Sequence, residues 1–317
     1  MKHPVDLSAA AVLRFGPDHL RFFSDGWGDE EGLTPPDPGQ FRYDPLPITW
    51  LTHGAAHGHR VSHGTFTSPV DGLPPRARQG SVVRVLPSDT PERMVVLMPA
   101  WNEHEPRVRV ALASRLADGG IGSIILESAY FGSRHPHPEA GHPITTVSDF
   151  MVMGRSAVLE AGGILAWLRN DHHDVGVAGY SMGANTAALV AATVPFPVAV
   201  AALAASHSPA PVFLDGVLRN GISWEALGGE GMADRLRHVL SGASVLRIAP
   251  APHLSSAVII GARSDAYIPR VATQQLADHW VGSQLRWEPG GHATLVWFRK
   301  NRLASAVIDA FERVKPS

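Results

Sequence analysis

The sequence predicts an α/β protein with a mostly parallel central sheet and helices on both faces of that sheet. Residues 94–98 and 124–126 are continuous apolar runs without polar alternation, which is typical of strands buried on both faces. Segments with helical spacing of apolar residues lie between such runs. This alternation of strands and helices implies right-handed crossovers and a parallel sheet.

The regular part of the chain begins after Pro91. We predict strands at 94–98, 122–127, 174–178, 198–204, 255–260 and 284–287. We predict helices at 107–117, 145–169, 181–193 and about 295–314, and the first of them ends at a glycine pair that is a suitable stop. Most of the predicted helices are joined to a neighbouring strand by a short loop, as expected for this fold class.

The first 90 residues lack a clear periodic pattern. Five prolines interrupt any helix within this part of the chain, namely Pro35, Pro36, Pro38, Pro45 and Pro47. Only 66–68 and 81–86 indicate short strands. We therefore interpret residues 1–90 as an N-terminal extension with the antiparallel start of the sheet, and residues 1–317 as a single domain.

Residues 206–252 interrupt the rhythm of strands and helices. This segment contains several prolines, a glycine pair and one helical stretch at 230–240. It is expected to be a lid-like insertion between two late strands. In a parallel sheet such an insertion lies above the carboxyl ends of the strands, where ligands bind.

Composition excludes several classes of protein and of site. The 317 residues carry 27 basic and 29 acidic side chains, so nothing predicts a nucleic-acid partner. The absence of cysteine excludes disulfides, thiolate metal sites and a cysteine nucleophile. Residues 7–13 do not form a convincing signal peptide, and no apolar run is long enough for a transmembrane helix. We therefore expect a cytoplasmic protein with no integral membrane span.

The segment Gly179-Tyr180-Ser181-Met182-Gly183 follows a predicted strand and precedes an alanine-rich helix. This context is required for the Gly-x-Ser-x-Gly turn that presents a nucleophilic serine in α/β-hydrolases. The glycines leave room for the sharp turn, and the helix start directs the N–H of Met182 towards an oxyanion. The alternative is a tight turn with an incidental serine, so the motif depends on its partners.

A serine nucleophile requires a base, and the base requires an orienting acid. In α/β-hydrolases these residues follow the serine in the order acid, then histidine, each after a strand. We assign Asp265 as the acid and His292 as the base. Asp265 has the alternative role of a helix cap, and Asp215 within the insertion is the rival acid.

The second oxyanion donor is expected in the loop after the first buried parallel strand. That loop begins at Pro99, which has no N–H, so the backbone N–H of Ala100 or Trp101 is the candidate.

Two other features carry weaker predictions. His53, His57, His59 and His63 cluster in sequence, but their spacing differs from known helical metal pairs, so a polar strand–turn is favoured over a metal site. Trp101 and Trp224 are expected to pack in the core or to line an apolar pocket.

Several segments resemble the α/β-hydrolase domain-containing protein 18 family over about residues 60–300. They are ESAYFG at 127–132 with Arg134 and Pro136, VSDFMVMG at 147–154, the serine motif at 179–183, GVL at 216–218 and ISW at 222–224. The chain departs from that family in the loop at 98–102, where a glycine-rich segment is usual, and at 184–185, where a further glycine is common.

The resemblance implies an α/β-hydrolase fold with Ser181, Asp265 and His292 as triad. It also implies an acyl-ester substrate, with lipid esters among the candidates. The expected function is a serine esterase that needs no cofactor and no metal. The alternatives are a catalytically silent binding protein of the same fold, and a serine peptidase or thioesterase. The oligomeric state is not predicted.

Overall fold

The computed structural model describes residues 2–15, 21–34, 39, 41–56, 58–137, 142–171 and 174–314. Pro35, Pro36, Pro38 and His57 lie outside the described residues. The strands are β1 Thr49–Ala56, β2 His59–Thr67, β3 Gln79–Leu86, β4 Arg93–Met98, β5 Ile121–Leu126, β6 Asp174–Tyr180, β7 Ala199–Leu203, β8 Val258–Ala262 and β9 Gln284–Glu288. The α-helices are α1 Pro4–Phe15, α2 Glu30–Leu33, α3 Pro75–Arg78, α4 Arg107–Asp118, α5 Val147–Asp171, α6 Met182–Thr193, α7 Pro209–Leu214, α8 Ala233–Ser241, α9 Arg270–His279, α10 His292–Phe298 and α11 Lys300–Arg313.

The nine strands of the described residues form one sheet in the order β1-β2-β3-β5-β4-β6-β7-β8-β9. The pairs from β1 to β5 are antiparallel, and all pairs from β5 to β9 are parallel. Val96 of β4 lies opposite Ile124 of β5 and Val177 of β6, so the three apolar strands are adjacent at the centre. The predicted mostly parallel sheet is therefore confirmed.

The sheet is covered by helices on both faces, as predicted. Val95 and Leu97 of β4 pack in one apolar cluster with residues of α4 and α11. Their neighbours Val96 and Met98 pack in the opposite cluster with residues of α5 and α6. Because alternate residues of a strand face opposite sides, each face needs its own apolar set. This explains why the sequence of β4 is a continuous apolar run.

The N-terminal part holds more regular structure than the sequence predicts. Strand β1 pairs with β2 in a hairpin that contains the histidine-rich segment, in agreement with the favoured strand–turn. The side chains of β1 are almost all exposed, because it is the edge strand. An edge strand without a buried face has no apolar periodicity, so the pattern could not reveal it. Helix α1 was also not predicted.

The C-terminal helix differs from the prediction. Two helices replace the single one expected at 295–314, because the backbone at Arg299 leaves helical geometry at φ −121° and ψ 23°. The first of them, α10, begins at His292. The predicted strand at 255–260 is shifted towards the C-terminus, since Pro252–Ser256 forms a 3₁₀ helix before β8.

The insertion at 206–252 connects β7 to the 3₁₀ helix before β8 and contains α7 and α8. The helix predicted at 230–240 begins as a 3₁₀ turn and continues as α8. Apolar residues of the insertion, such as Phe213 and Leu236, pack with Phe150 of α5 and with Phe22 and Phe23 near the N-terminus. A backbone bridge between Phe22 and Ile222 joins the two segments. The N-terminal segment and the insertion therefore form one apolar layer.

Helix α5 is, among the described residues, the one helix that is long and apolar enough to cross a membrane by length and composition. Two thirds (67%) of its most apolar window is buried inside the protein. Its apolar character is accounted for by its contacts with the central sheet.

Candidate active site

Ser181 lies in the sharp turn between β6 and α6. Its backbone adopts φ 58° and ψ −120°, a conformation that residues other than glycine rarely adopt. The N–H of Ser181 donates to the carbonyl of Leu203 at 2.9 Å, which attaches the turn to β7. The strained turn therefore holds the serine at the carboxyl end of the central strands.

The two glycines of the motif are explained by close backbone contacts. A Cβ at residue 179 would lie 2.1 Å from the carbonyl oxygen of Gly183. A Cβ at residue 183 would lie 2.6 Å from the carbonyl oxygen of Met98 and 2.8 Å from that of Pro99. Real Cβ atoms do not approach backbone oxygens so closely, so both positions require glycine. The turn is packed between its own helix and the end of β4.

The structure brings Ser181, His292 and Asp265 together in a continuous hydrogen-bonded chain. His292 Nε2 lies 2.9 Å from Ser181 Oγ, and His292 Nδ1 lies 2.8 Å from Asp265 Oδ2. His292 is 9% exposed, and the side chain of Asp265 is 3% exposed. These distances fit a nucleophile, a base and an orienting acid.

The loop after β8 fixes the second oxygen of Asp265. Asp265 Oδ1 accepts the backbone N–H groups of Tyr267 at 2.8 Å and Ile268 at 2.9 Å. Asp265 therefore caps this turn, as the alternative interpretation expected, and also bonds to His292. The rival acid Asp215 instead forms a two-pronged pair with Arg237 on the surface of the insertion, at 2.7 and 3.1 Å. Asp215 makes no hydrogen bond to His292.

Tyrosines and acids surround His292. Burial lowers the pKa of His292, but the charge of Asp265, its hydrogen bond and the charge of Asp6 raise it, and the net pKa is above its ordinary value. Tyr180 donates its hydroxyl to the carbonyl of His292, and the ring of Tyr267 lies 5.0 Å from the imidazole. Burial, the charge of Asp6 and the charge of Asp265 raise the pKa of Tyr267 to about 12, so this phenol stays neutral near pH 7.

The residues that carry the candidate oxyanion donors lie at the same cavity as Ser181. Ala100, Trp101 and Met182 all line that cavity. Met182 begins helix α6, so its N–H has no partner within the helix. The N–H of Ala100 already donates to Glu103 Oε2 at 3.3 Å. Of the two candidates in this loop, only Trp101 has an N–H that makes no hydrogen bond to another described residue.

A buried ion pair shapes this loop. Arg109 of α4 donates through Nε to Glu103 Oε1 at 2.8 Å. Its Nη1 donates to the carbonyl oxygens of Leu97 at 2.7 Å and Leu126 at 2.6 Å, at the ends of β4 and β5. Arg109 thus ties the loop to the sheet, and Glu103 occupies the N–H of Ala100. The sequence did not single out this pair.

A cavity of about 430 Å³ opens beside Ser181 and His292. Its walls are largely apolar and include Phe22, Trp101, Phe150, Met182, Phe213 and Trp297. Ser206 and Ser208 of the insertion also line it. A smaller cavity of about 60 Å³ adjoins it behind Met182 and Phe150. The volume is in the range of small-molecule sites, and the apolar walls suit an apolar group.

Sequence reasoning identified part of this cavity. Trp101 lines the cavity, which is one of the two roles expected for the tryptophans. Trp224 instead packs at the edge of the adjacent apolar cluster, beneath Arg219. Phe22 was missed, because no local pattern near residue 22 indicates a contact with residues 150 and 213. Phe213 was covered only by the general expectation that the insertion lies above the strands.

The histidine-rich hairpin makes ordinary polar contacts. His53 Nδ1 lies 3.0 Å from Ser62 Oγ, and His59 Nε2 lies 3.2 Å from the carboxylate of Asp118. His57 lies outside the described residues. Within the part of the chain that the structure describes, no three His, Asp or Glu side chains are grouped as metal ligands.

Solved structures share this architecture. An acetyl xylan esterase from Paenibacillus sp. R4 aligns with a TM-score of 0.58 and 14% identity, over 83% of this chain and 88% of its own. A cold-adapted esterase from an Arctic intertidal metagenomic library aligns with a TM-score of 0.54 and 16% identity, over 84% and 100%. An α/β hydrolase from Penicillium sp. sh18 aligns with a TM-score of 0.54 and 15% identity, over 80% and 98%. At this identity the likeness shows the fold.

A family model matches most of the chain. The model of the family described as alpha/beta hydrolase domain containing 18 matches residues 20–250 and 229–313. The resemblance predicted from the motifs at 127–132, 147–154 and 179–183 is therefore confirmed. Together with the sheet order, these matches show that the protein has the α/β-hydrolase fold and belongs to the alpha/beta hydrolase domain containing 18 family.

Proposed function

We propose that the protein is a serine hydrolase that cleaves carboxylic esters through an acyl-enzyme on Ser181. The observation that carries this proposal is the chain of hydrogen bonds from Asp265 through His292 to Ser181, at 2.8 and 2.9 Å, beside an apolar cavity. The strained turn at Ser181 supports it, because strain of this kind persists where the surrounding structure enforces a function.

The proposed first step is attack of Ser181 Oγ on the ester carbonyl carbon. His292 Nε2 takes the hydroxyl proton as the new C–O bond forms, and Asp265 stabilises the imidazolium through Nδ1. The carbonyl oxygen becomes an oxyanion, which the N–H groups of Met182 and Trp101 are proposed to hold. The intermediate then expels the alcohol, which receives the proton from His292.

The proposed second step uses water as nucleophile. His292 takes a proton from the water as it attacks the acyl carbon, and the same two N–H groups hold the second oxyanion. Collapse of this intermediate breaks the bond to Ser181, and the proton of His292 returns to Oγ. All groups that act in these steps belong to the chain itself, so we propose no cofactor.

The cavity supports an ester with an apolar acyl group. The six large apolar side chains of the wall named above would exclude water from such a group, with a gain of about 25 cal/mol per Å² of apolar surface buried. Lipid esters are therefore candidate substrates beside small esters.

The test is labelling by a fluorophosphonate probe, which reacts with activated serines. We expect the wild type to label and Ser181→Ala not to label. Ser114→Ala on α4 is the matched control, since Ser114 donates to a helix carbonyl, and it should label like the wild type. An unlabelled wild type would favour the catalytically silent alternative. Equal labelling of Ser181→Ala would show that the nucleophile is wrong.

A second test distinguishes the substrate classes. Hydrolysis rates on a p-nitrophenyl ester series of increasing chain length would be measured beside matched thioester and amide substrates. We expect kcat/KM to rise with chain length until the cavity is filled, with esters ahead of amides. A preference for the amide or thioester would overturn the ester assignment while leaving Ser181 as nucleophile.

A further inference from the structure

The first turn of helix α1 lies against the two loops that carry Asp265 and His292. The N–H of His3 donates to the carbonyl of Ser264 at 2.8 Å, directly before the candidate acid. Asp6, in the same turn, is fully buried at 0% exposure. A buried carboxylate requires hydrogen-bond partners, because burial without them is costly. The partners of Asp6 show what the turn does.

Three backbone N–H groups from the two loops donate to the carboxylate of Asp6. Oδ2 accepts from His292 at 2.7 Å and from Ala266 at 3.1 Å, and Oδ1 accepts from Ala293 at 3.0 Å. Ala266 follows the candidate acid, and His292 is the candidate base itself. One carboxylate is therefore shared between the backbone of the acid loop and the backbone of the base.

Asp6 also caps the N-terminus of helix α10, which has no capping side chain of its own. Helix α10 begins at His292, and its first N–H groups have no partner within the helix. The residue before it is Gly291, which has no side chain that could accept them. A carboxylate at a helix N-terminus is favoured by both the free N–H groups and the helix dipole. A Cβ at residue 291 would lie 2.5 Å from Asp6 Oδ2, so the glycine admits this cap.

We propose that Asp6 is a positioning residue for the ester hydrolysis proposed above, and the inference rests on that function. Its carboxylate sets the distance between the acid loop and the base, and it places a negative charge behind the imidazole. Asp6 precedes the residues that the family model matches, which begin at residue 20. This part of the site therefore comes from a segment of the chain outside the match.

If Asp6 had only a structural role, it would attach α1 to the two loops without affecting the imidazole of His292. A positioning role also includes the effect of its negative charge on that imidazole. Among the described residues, the titratable groups near His292 besides Asp6 are Asp265, Tyr180 and Tyr267. His3 lies directly before α1, and the Glu103–Arg109 pair lines the cavity; α10 carries no further charged residue. Burial raises the pKa of Tyr180, so that phenol stays neutral. The negative charges that raise the pKa of His292 are therefore those of Asp265 and Asp6.

Two variants separate charge from placement. Asp6→Asn removes the charge and keeps the approximate shape, but its NH₂ group must face the N–H of Ala293 if its oxygen stays with the N–H groups of His292 and Ala266. Asp6→Glu keeps the charge and displaces it by one methylene. We expect Asp6→Asn to lower the pKa of His292, which moves the acid limb of the kcat/KM profile to lower pH. We expect Asp6→Glu to lower kcat about tenfold without moving that limb, because small misplacement of reacting groups is costly. KM should change little in both, since Asp6 does not line the cavity.

Asp71→Asn is the matched control, because its carboxylate forms an exposed pair with Arg78 at 3.2 Å, and it should behave like the wild type. The pKa of His292 would also be measured by NMR of its ring protons, assigned with His292→Gln. That titration needs no turnover, so an inactive wild type would refute the proposed hydrolase while the effect of Asp6 on the imidazole remains measurable.

The proposal is supported by a downward shift of the His292 titration in Asp6→Asn together with loss of kcat in Asp6→Glu. It is overturned if both variants match Asp71→Asn in kcat/KM and in the titration. Unfolding of both variants below the assay temperature would likewise assign Asp6 a purely structural role and overturn it.

Discussion

Replacing Asp265 by asparagine tests the candidate acid through the tautomer of His292. In the wild type, Asp265 Oδ1 accepts two backbone N–H groups, and Oδ2 accepts the Nδ1–H of His292. An asparagine has one oxygen and one NH₂ group. If its oxygen remains with the backbone N–H groups, its NH₂ group faces Nδ1, which must then become an acceptor. The ring proton then moves to Nε2, so Nε2 can no longer accept the proton of Ser181.

The opposite orientation of the asparagine is disfavoured. It would point the NH₂ group at the N–H groups of Tyr267 and Ile268 and leave both buried donors unpaired, at about 1–3 kcal/mol each. The orientation that yields the unproductive tautomer is therefore preferred. In a well-studied serine protease the corresponding change lowers kcat roughly 10⁴-fold, which corresponds to about 5.5 kcal/mol in the barrier. We expect a loss of the same order here.

The assay is kcat/KM on a p-nitrophenyl ester, with the rate of fluorophosphonate labelling as a second measurement. Asp215→Asn is the matched control, because Asp215 is the rival acid and pairs with Arg237 at the surface. It should retain activity within about threefold, as expected for an exposed pair. The reasoning is refuted if Asp265→Asn loses less than tenfold, or if Asp215→Asn loses as much.

Three further predictions follow from the same geometry. Gly183→Ala should abolish labelling and lower Tm, because its Cβ would lie 2.6 Å from a carbonyl oxygen; labelling at the wild-type rate would contradict this. Because the pKa of His292 is raised above 6.5 and only the neutral ring accepts a proton, kcat/KM should fall with decreasing pH at a midpoint above 6.5. Glu160→Gln should lower the free energy of unfolding in urea by about 3–5 kcal/mol, since it leaves the charge of the fully buried Arg134 without its carboxylate, whereas Asp215→Asn should cost under about 1 kcal/mol.

The fold class could be predicted because its signals are local. The apolar runs of β4, β5 and β6 and the glycines of the turn at Ser181 each lie within a few neighbouring residues. The chain order of serine, acid and histidine then favoured Asp265 as the acid, with Asp215 as its rival, and His292 as the base. The structure places these three residues in one hydrogen-bonded chain, and their catalytic roles remain predictions.

Other features have no local signal. Strand β1 is exposed along most of its length, so its sequence has no strand periodicity. The break at Arg299 lies between two segments that are both helical in pattern. The proposed preference for Trp101 over Ala100 as oxyanion donor depends on the carboxylate of Glu103, which accepts the N–H of Ala100. None of these outcomes follows from propensity or spacing.

The sequence by itself determined the parallel part of the sheet, the turn at Ser181 and the residues that follow its strands, because these depend on burial and backbone strain over short stretches. Only the tertiary structure decided what closes around Ser181. Asp6 lies 286 positions before His292 and bonds to its N–H, and Phe22 lines the cavity with Phe150 and Phe213. Contacts over such separations are fixed by the packing of whole elements. The residues next to a single carboxylate or ring in the sequence do not indicate which distant residue it will contact.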